Sequence, residues 1–307
     1  MSQKVLTVKQ AKNRINTFGK SLVLYVIVLT VFRYGIGLFE KYLPEIFLER
    51  ESELFVFVGL NILVFLLSFL PFKIAASKLE IKVKDYYKKI NIPFGEIFMH
   101  VCFTIGINLL TTSIMSIFSF FFSVNKLDTP FLGKFNTTDL IITNIAYFIY
   151  MIIVKPFCDE YAFRGVIQRA LGKFGRYFGV IGSAILYMLA QRSIVEAIPA
   201  FFIGWYLSSV SLKYHSIRPT IVIQSINAIY FIIIAILPSS LYILIPISVI
   251  IIYTIISFSL FFKHKTFTIG NISYGDKKLW NILFTSKSII ILVILFIMNV
   301  VLSFVRF

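Results

Sequence analysis

Apolar residues run almost unbroken through 19–38, 54–76, 96–123, 138–157, 177–193, 195–212, 218–237, 240–262 and 288–306. Each run is close to the roughly 20 residues that cross about 30 Å of hydrocarbon. A backbone in lipid must satisfy its own hydrogen bonds, so these runs predict transmembrane helices, eight or nine of them, in an all-α polytopic bundle. The runs between 177 and 262 are closely spaced, and their limits are soft.

The longest polar connections are 77–95 and 263–287. No 20–50-residue repeat and no Gly/Ser- or Pro-rich linker divides the chain, so one membrane domain is expected. Within it, 1–137 supplies N-terminal helices and a loop, 138–240 a core, and 241–307 C-terminal helices. Segment 77–90 interleaves lysines with Leu79, Ile81, Val83 and Tyr86. Such a strip suits anionic headgroups or, more simply, a solvated loop that sets topology.

A mean hydropathy of +0.88 with 58% apolar residues excludes a soluble globule. Thirty Lys and Arg against fourteen Asp and Glu would suit either nucleic acid or an anionic membrane face. Their distribution decides, because alternate connections carry 23 on one side and 6 on the other, with Arg33 inside the first run. The positive-inside rule then predicts a cell-membrane protein with a cytoplasmic N-terminus, cytoplasmic loops at 77–95, 158–176 and 263–287, membrane lipids as partners and no nucleic acid. With nine spans the C-terminus lies outside. Lys4 to Lys20 resemble a signal peptide's charged region, but the apolar run after them is long and lacks a small-residue cleavage pattern, so a retained helix is expected. Cys102 and Cys158 have neither disulfide-framework nor zinc-ligand spacing. Abundant Phe, Ile, Lys and Asn suggest a low-GC bacterium, hence a plasma membrane.

The stretch with chemical content is Lys155-Pro-Phe-Cys-Asp-Glu-Tyr-Ala-Phe-Arg-Gly165, at the end of the fourth run. Charges placed there are costly unless partnered. Glu160 and Arg164 are four apart, on one helical face, in the favourable order for pairing. Asp159 is turned from Glu160 by about 100°, so it is expected to stay free to act on water or on a partner. The plainer alternative is a solvated, idle charge cluster at a helix end.

Asp159-Glu-Tyr-Ala-Phe-Arg-Gly165 resembles the Glu-Glu-x-x-x-Arg motif of the CAAX-protease and bacteriocin-processing (CPBP, or Abi) family of intramembrane glutamate-dependent endopeptidases. Tyr187 to Gln191 is similar to that family's Phe-x-x-x-His block. Pro199 to Gly204 resembles its small-residue helix, and Gln224 to Ala228 its His-x-x-x-Asn block. The resemblance spans about 140–235. It implies a helical bundle around a cavity open to the cytosol, with a peptide substrate. In active members the first Glu and the second-block His activate water, and the third-block His and Asn steady the oxyanion. The second Glu and the Arg orient the site.

This chain departs from that pattern at each catalytic position. Asp159 replaces the first Glu, and Gln191 and Gln224 replace the two histidines. Asn227 falls one residue before the expected position, which is Ala228. A carboxylate withdrawn by one methylene can cost about a hundredfold in rate, and losing a proton-exchanging imidazole about 10² to 10⁴. His100, His215 and His264 fall at no motif position. The expected protein is therefore a degenerate, catalytically silent member that binds a membrane or envelope protein. An active endopeptidase using Asp159 or Glu160 is the alternative. A transporter lined by Arg33, Asn108, Asn144, Gln191, Gln224 and Asn227 is a third reading. No cofactor is expected, and zinc is not, because the paired His of a catalytic zinc site is missing. Glu160, Arg164, Gln191, Gln224 and Asn227 should meet at one interior cavity.

Overall fold

The structure, a computed structural model, describes residues 8–42, 69–121, 148–236 and 275–304, with isolated positions at 66–67, 145 and 255. The expected span at 240–262, nearly all of it, and most of that at 54–76 lie outside the described residues. The described secondary structure is helical throughout.

Helix α1 (Val8–Tyr42) begins well before its apolar run, and α2 occupies 69–78. A 3₁₀ turn at Val83–Tyr86 interrupts the next connection, ahead of α3 (Phe94–Phe121). Helix α4 runs from 150 to 172 and alternates between π and α winding, with π at Tyr150–Val154 and again at Tyr161–Ile167. The rest comprises α5 (Arg176–Leu189), α6 (Ile194–Lys213), α7 (Arg218–Ile236), α8 (Gly275–Phe284) and α9 (Lys287–Phe304).

Two of the expected loops contain helix. Residues 158–172 are helical rather than a polar connection, and Arg164 is fully buried. Lys155 and Arg164 neutralise neighbouring carboxylates, so they are not topology-setting loop charges. Their removal from the count leaves the lysine and arginine bias in place. The connection 263–287 also contains α8, which buries Ile282 and Leu283 and sets Trp280 edge-on against Phe178.

Three described helices are long and apolar enough to cross a membrane: Val8–Val31, Phe94–Met115 and Ile194–Lys213. Lys278–Phe284 with Lys287–Ser303 forms a pair bent by 64° that could supply a fourth. Helix α5, with 14 residues, is only about 21 Å long. Outward-facing Ile74, Ile117, Ile153 and Ile294 are each more than half exposed, a surface suited to lipid and costly in water.

Helix α6 is the central packing element, touching α3, α5 and α7. Its start is capped by Ser193, whose Oγ accepts from Glu196 N (3.3 Å), while the Glu196 carboxylate accepts from Arg192 N (3.4 Å), one residue before the cap. Helices α1 and α9 pack through small and polar groups. Ser288 donates through N and Oγ to Asn16 Oδ1 (3.2 and 3.0 Å), and Thr30 and Asn299 bond each other. Gly19 sits directly against Ser288, where any Cβ would collide.

Segment 79–90 is not a free loop. Leu79, Ile81 and Val83 are buried in the same core as Phe163 and Val166 of α4. The connection folds back onto α4, with Val83 against Gly165, and onto the start of α7, where Ile217 N bonds the Tyr86 carbonyl.

Candidate functional site

Pro156 accounts for the first irregularity of α4. Proline has no N–H and its ring would crowd the carbonyl four residues earlier, so the preceding turn widens and Lys155 N bonds Tyr150 O, five back. A second widened stretch follows directly after Glu160, and such single-turn π segments are frequent at functional sites. Between the two lies the short α stretch carrying Asp159 and Glu160, both buried.

Glu160 and Arg164 pair as their spacing predicts. Glu160 Oε1 lies 2.8 Å from Arg164 Nη1, and both side chains are wholly buried. Arg164 Nη2 also donates to the Gly204 carbonyl (3.2 Å), and the guanidinium stands 4.9 Å from the centroid of Tyr187. Helix α6 approaches closely because Gly204 has no side chain: a Cβ would come within 3.0 Å of the Tyr187 ring. Gln224 Nε2 reaches Glu160 Oε1 at the long distance of 3.5 Å, and Thr220 faces the same carboxylate.

Asp159 does turn away from Glu160, but it is not free. Lys155 Nζ donates to Oδ2 (2.8 Å) and the Tyr25 hydroxyl to Oδ1 (2.9 Å). Sequence reasoning missed both partners. Lys155 had a readable signal, since it precedes Asp159 by four residues just as Glu160 precedes Arg164. Tyr25 had none, being 134 residues away on α1, where it lies edge-on to Phe72 and Phe163.

A cavity of about 220 Å³ opens beside this pair, lined by Lys155, Asp159, Gln224, Asn227 and Ala228 with apolar Met151, Pro156, Phe231 and Ile232. The expected convergence is therefore partial. Gln224 and Asn227 line the cavity, while Glu160 and Arg164 lie behind Gln224 and are not part of its wall. Asn227 Oδ1 is buried without a hydrogen-bond partner among the described residues.

Gln191 departs from the expectation. Helix α5 ends at Leu189, and the Gln191 amide folds back to donate to the Tyr187 carbonyl (2.9 Å), so it closes its own helix end and does not line the cavity. Of the other polar span residues, Asn108 accepts from Thr112 Oγ1 (3.3 Å). The Arg33 side chain and Asn144 lie outside the described residues.

A separate polar chain crosses α3 and α6. His100 is fully buried with Nδ1 2.6 Å from the Tyr206 hydroxyl and Nε2 2.9 Å from that of Tyr214. Glu96 continues the chain towards the surface, paired with Lys213 at 2.6 Å. Burial, and then the Glu96 carboxylate that its hydroxyl donates to, raise Tyr214 well above the usual phenol range. His100 thus ties two helices together away from the carboxylates.

Chemically, the site pairs each carboxylate with a cation and offers amide donors where proton exchange would need an imidazole. Among the described residues no group of three or more His, Cys, Asp and Glu side chains is placed to hold a metal. Cys102 and Cys158 are buried free thiols. Residues 141–230 match the family described as type II CAAX prenyl endopeptidase, Rce1-like, and that range includes all three motif blocks. No curated protein and no solved structure matches the chain.

Proposed function

We propose that this member of the CPBP/CAAX-protease family, identified by residues 141–230, keeps the family's framework without its chemistry and works by binding a membrane or envelope protein. The observation that carries the proposal is the engagement of Asp159. A carboxylate already accepting from Lys155 and Tyr25 is a poor base towards water. Neither Gln191 nor Gln224 can take or give a proton in its place. What remains is a mainly apolar cavity whose Gln224 and Asn227 amides suit the backbone or side chains of a bound segment.

A working endopeptidase is the second reading, favoured by the cavity itself, because it reaches Asp159 and could admit water to it. Isolation of the chain in mild detergent with its bound proteins, followed by a cleavage assay, separates the two. The silent reading expects an intact partner that Asp159→Ala still retains. Cleavage of that partner, lost in Asp159→Ala or Glu160→Ala variants that remain folded, would establish the second.

The proposal includes a multi-pass arrangement of eight or nine spans with the N-terminus in the cytoplasm. A cysteine placed at Lys84 should then react with an impermeant reagent only from the cytoplasmic side. Labelling from outside alone would reverse the orientation.

A further inference from the structure

Segment 79–93 commits Leu79, Ile81 and Val83 inward and leaves its lysines outward. Arg14 Nη2 donates to the Leu79 carbonyl (2.9 Å), Ile217 N to that of Tyr86 (2.8 Å) and Ser216 Oγ to that of Lys88 (2.9 Å). Two guanidinium groups add stacking, Arg169 over Tyr86 at 4.2 Å and Arg218 over Tyr87 at 4.4 Å. The two non-glycine residues with left-handed backbone among the described residues, Glu80 and His215, both flank these contacts. The strap is thus pinned at several points.

On its outer side Lys82, Lys84, Lys88 and Lys89 are exposed, and their ammonium groups make no hydrogen bond or ion pair among the described residues. Among and just after them stand exposed apolar side chains: Tyr87 at 40%, Ile90 at 37% and Phe94 at 82%. Phe94 opens a helix long and apolar enough to cross a membrane, and Lys88 and Lys89 stand six and five residues before it, where basic residues flanking a span meet headgroups. On its inner side Val83 packs against Gly165, where a Cβ would stand 3.0 Å from Val83 Cγ1, next to Arg164 in the widened stretch of α4.

We propose that Lys82, Lys84, Lys88 and Lys89 form a binding surface for anionic lipid headgroups of the surrounding bilayer, and that the occupied strap holds residues 161–167 in place. Charge complementarity selects the partner: clustered basic side chains beside a span attract anionic phospholipids, whereas zwitterionic ones offer no net charge. The rigid docking of the strap transmits the contact, because Val83 and Tyr86 touch Gly165 and Arg169 directly. The inference stands independently of whether the cavity is catalytic.

The test uses the full chain in nanodiscs of phosphatidylcholine with or without phosphatidylglycerol. Retained lipid is identified by native mass spectrometry, and backbone exchange is followed over 161–167. The wild type should retain phosphatidylglycerol above its share of the disc and exchange more slowly over 161–167 when that lipid is present. With all four lysines replaced by Gln, the preference should fall by at least about tenfold and the protection should vanish. Replacement by Arg should preserve both. Lys9→Gln with Lys12→Gln, an exposed and a half-buried basic residue of α1, should change neither. Enrichment that survives the four Gln changes, or that is lost equally in the Lys9 and Lys12 variant, would overturn the surface. Inorganic phosphate producing the same protection in phosphatidylcholine discs would overturn the assignment to lipid.

Discussion

The guanidinium of Arg164 lies 2.8 Å from the carboxylate of Glu160, and neither side chain reaches solvent. By contrast, Lys155, which pairs with Asp159 at the same distance, keeps 42% of its side chain exposed. The two adjacent carboxylates therefore face different consequences when removed.

Glu160→Ala should lower stability in detergent by about 3 to 5 kcal/mol, because it strands a buried guanidinium. Asp159→Ala should cost less, since Lys155 can turn to water. Adding Arg164→Met to Glu160→Ala should recover part of the loss. Thermal unfolding of the four proteins checks the order, and equal midpoints for the two alanine variants would mean that the buried pair is not formed.

Gln224→Ala should weaken retention of a bound partner, while Gln191→Ala should leave it unchanged at a stability cost of about 1 kcal/mol for the lost bond at the end of α5. The difference arises because Gln224 lines the cavity and Gln191 does not. Quantitative pull-down with both variants, alongside their unfolding curves, tests the assignment. Loss of the partner on Gln191→Ala would place that side chain in the site.

Rebuilding the family's residues with Asp159→Glu, Gln191→His and Gln224→His should not produce cleavage of a bound partner. Position 191 is directed at the Tyr187 carbonyl, and residue 159 is held by Lys155 and Tyr25. A gain of about 10² or more would show that these contacts rearrange readily.

Gly19→Val should separate α1 from α9, since even a single Cβ collides with Ser288. Overpacking of this kind costs about 1 to 3 kcal/mol. Ser288→Gly in the same chain should restore much of the stability by making room, which melting curves of the single and double variants would reveal.

Several elements were legible in the sequence within a few residues. The apolar runs at 177–193, 195–212 and 218–237 correspond to Arg176–Leu189, Ile194–Lys213 and Arg218–Ile236. Such helices are readable because lipid exposure and backbone hydrogen bonding act on each segment alone. The Glu160–Arg164 pair was legible for the same reason: four residues on a helix set the distance whatever surrounds them. Tertiary packing decided the rest. Whether Asp159 was free depended on Tyr25 from a different helix, and whether Gln191 faced the cavity depended on where α5 ended. The burial of Leu79, Ile81 and Val83, in a segment that reads as a solvated loop, depended on α4 and α7 offering a surface to receive it. Composition and spacing carry no information about contacts that arise only when distant segments are packed together, and at this site those contacts determine which carboxylate, if either, is left to act.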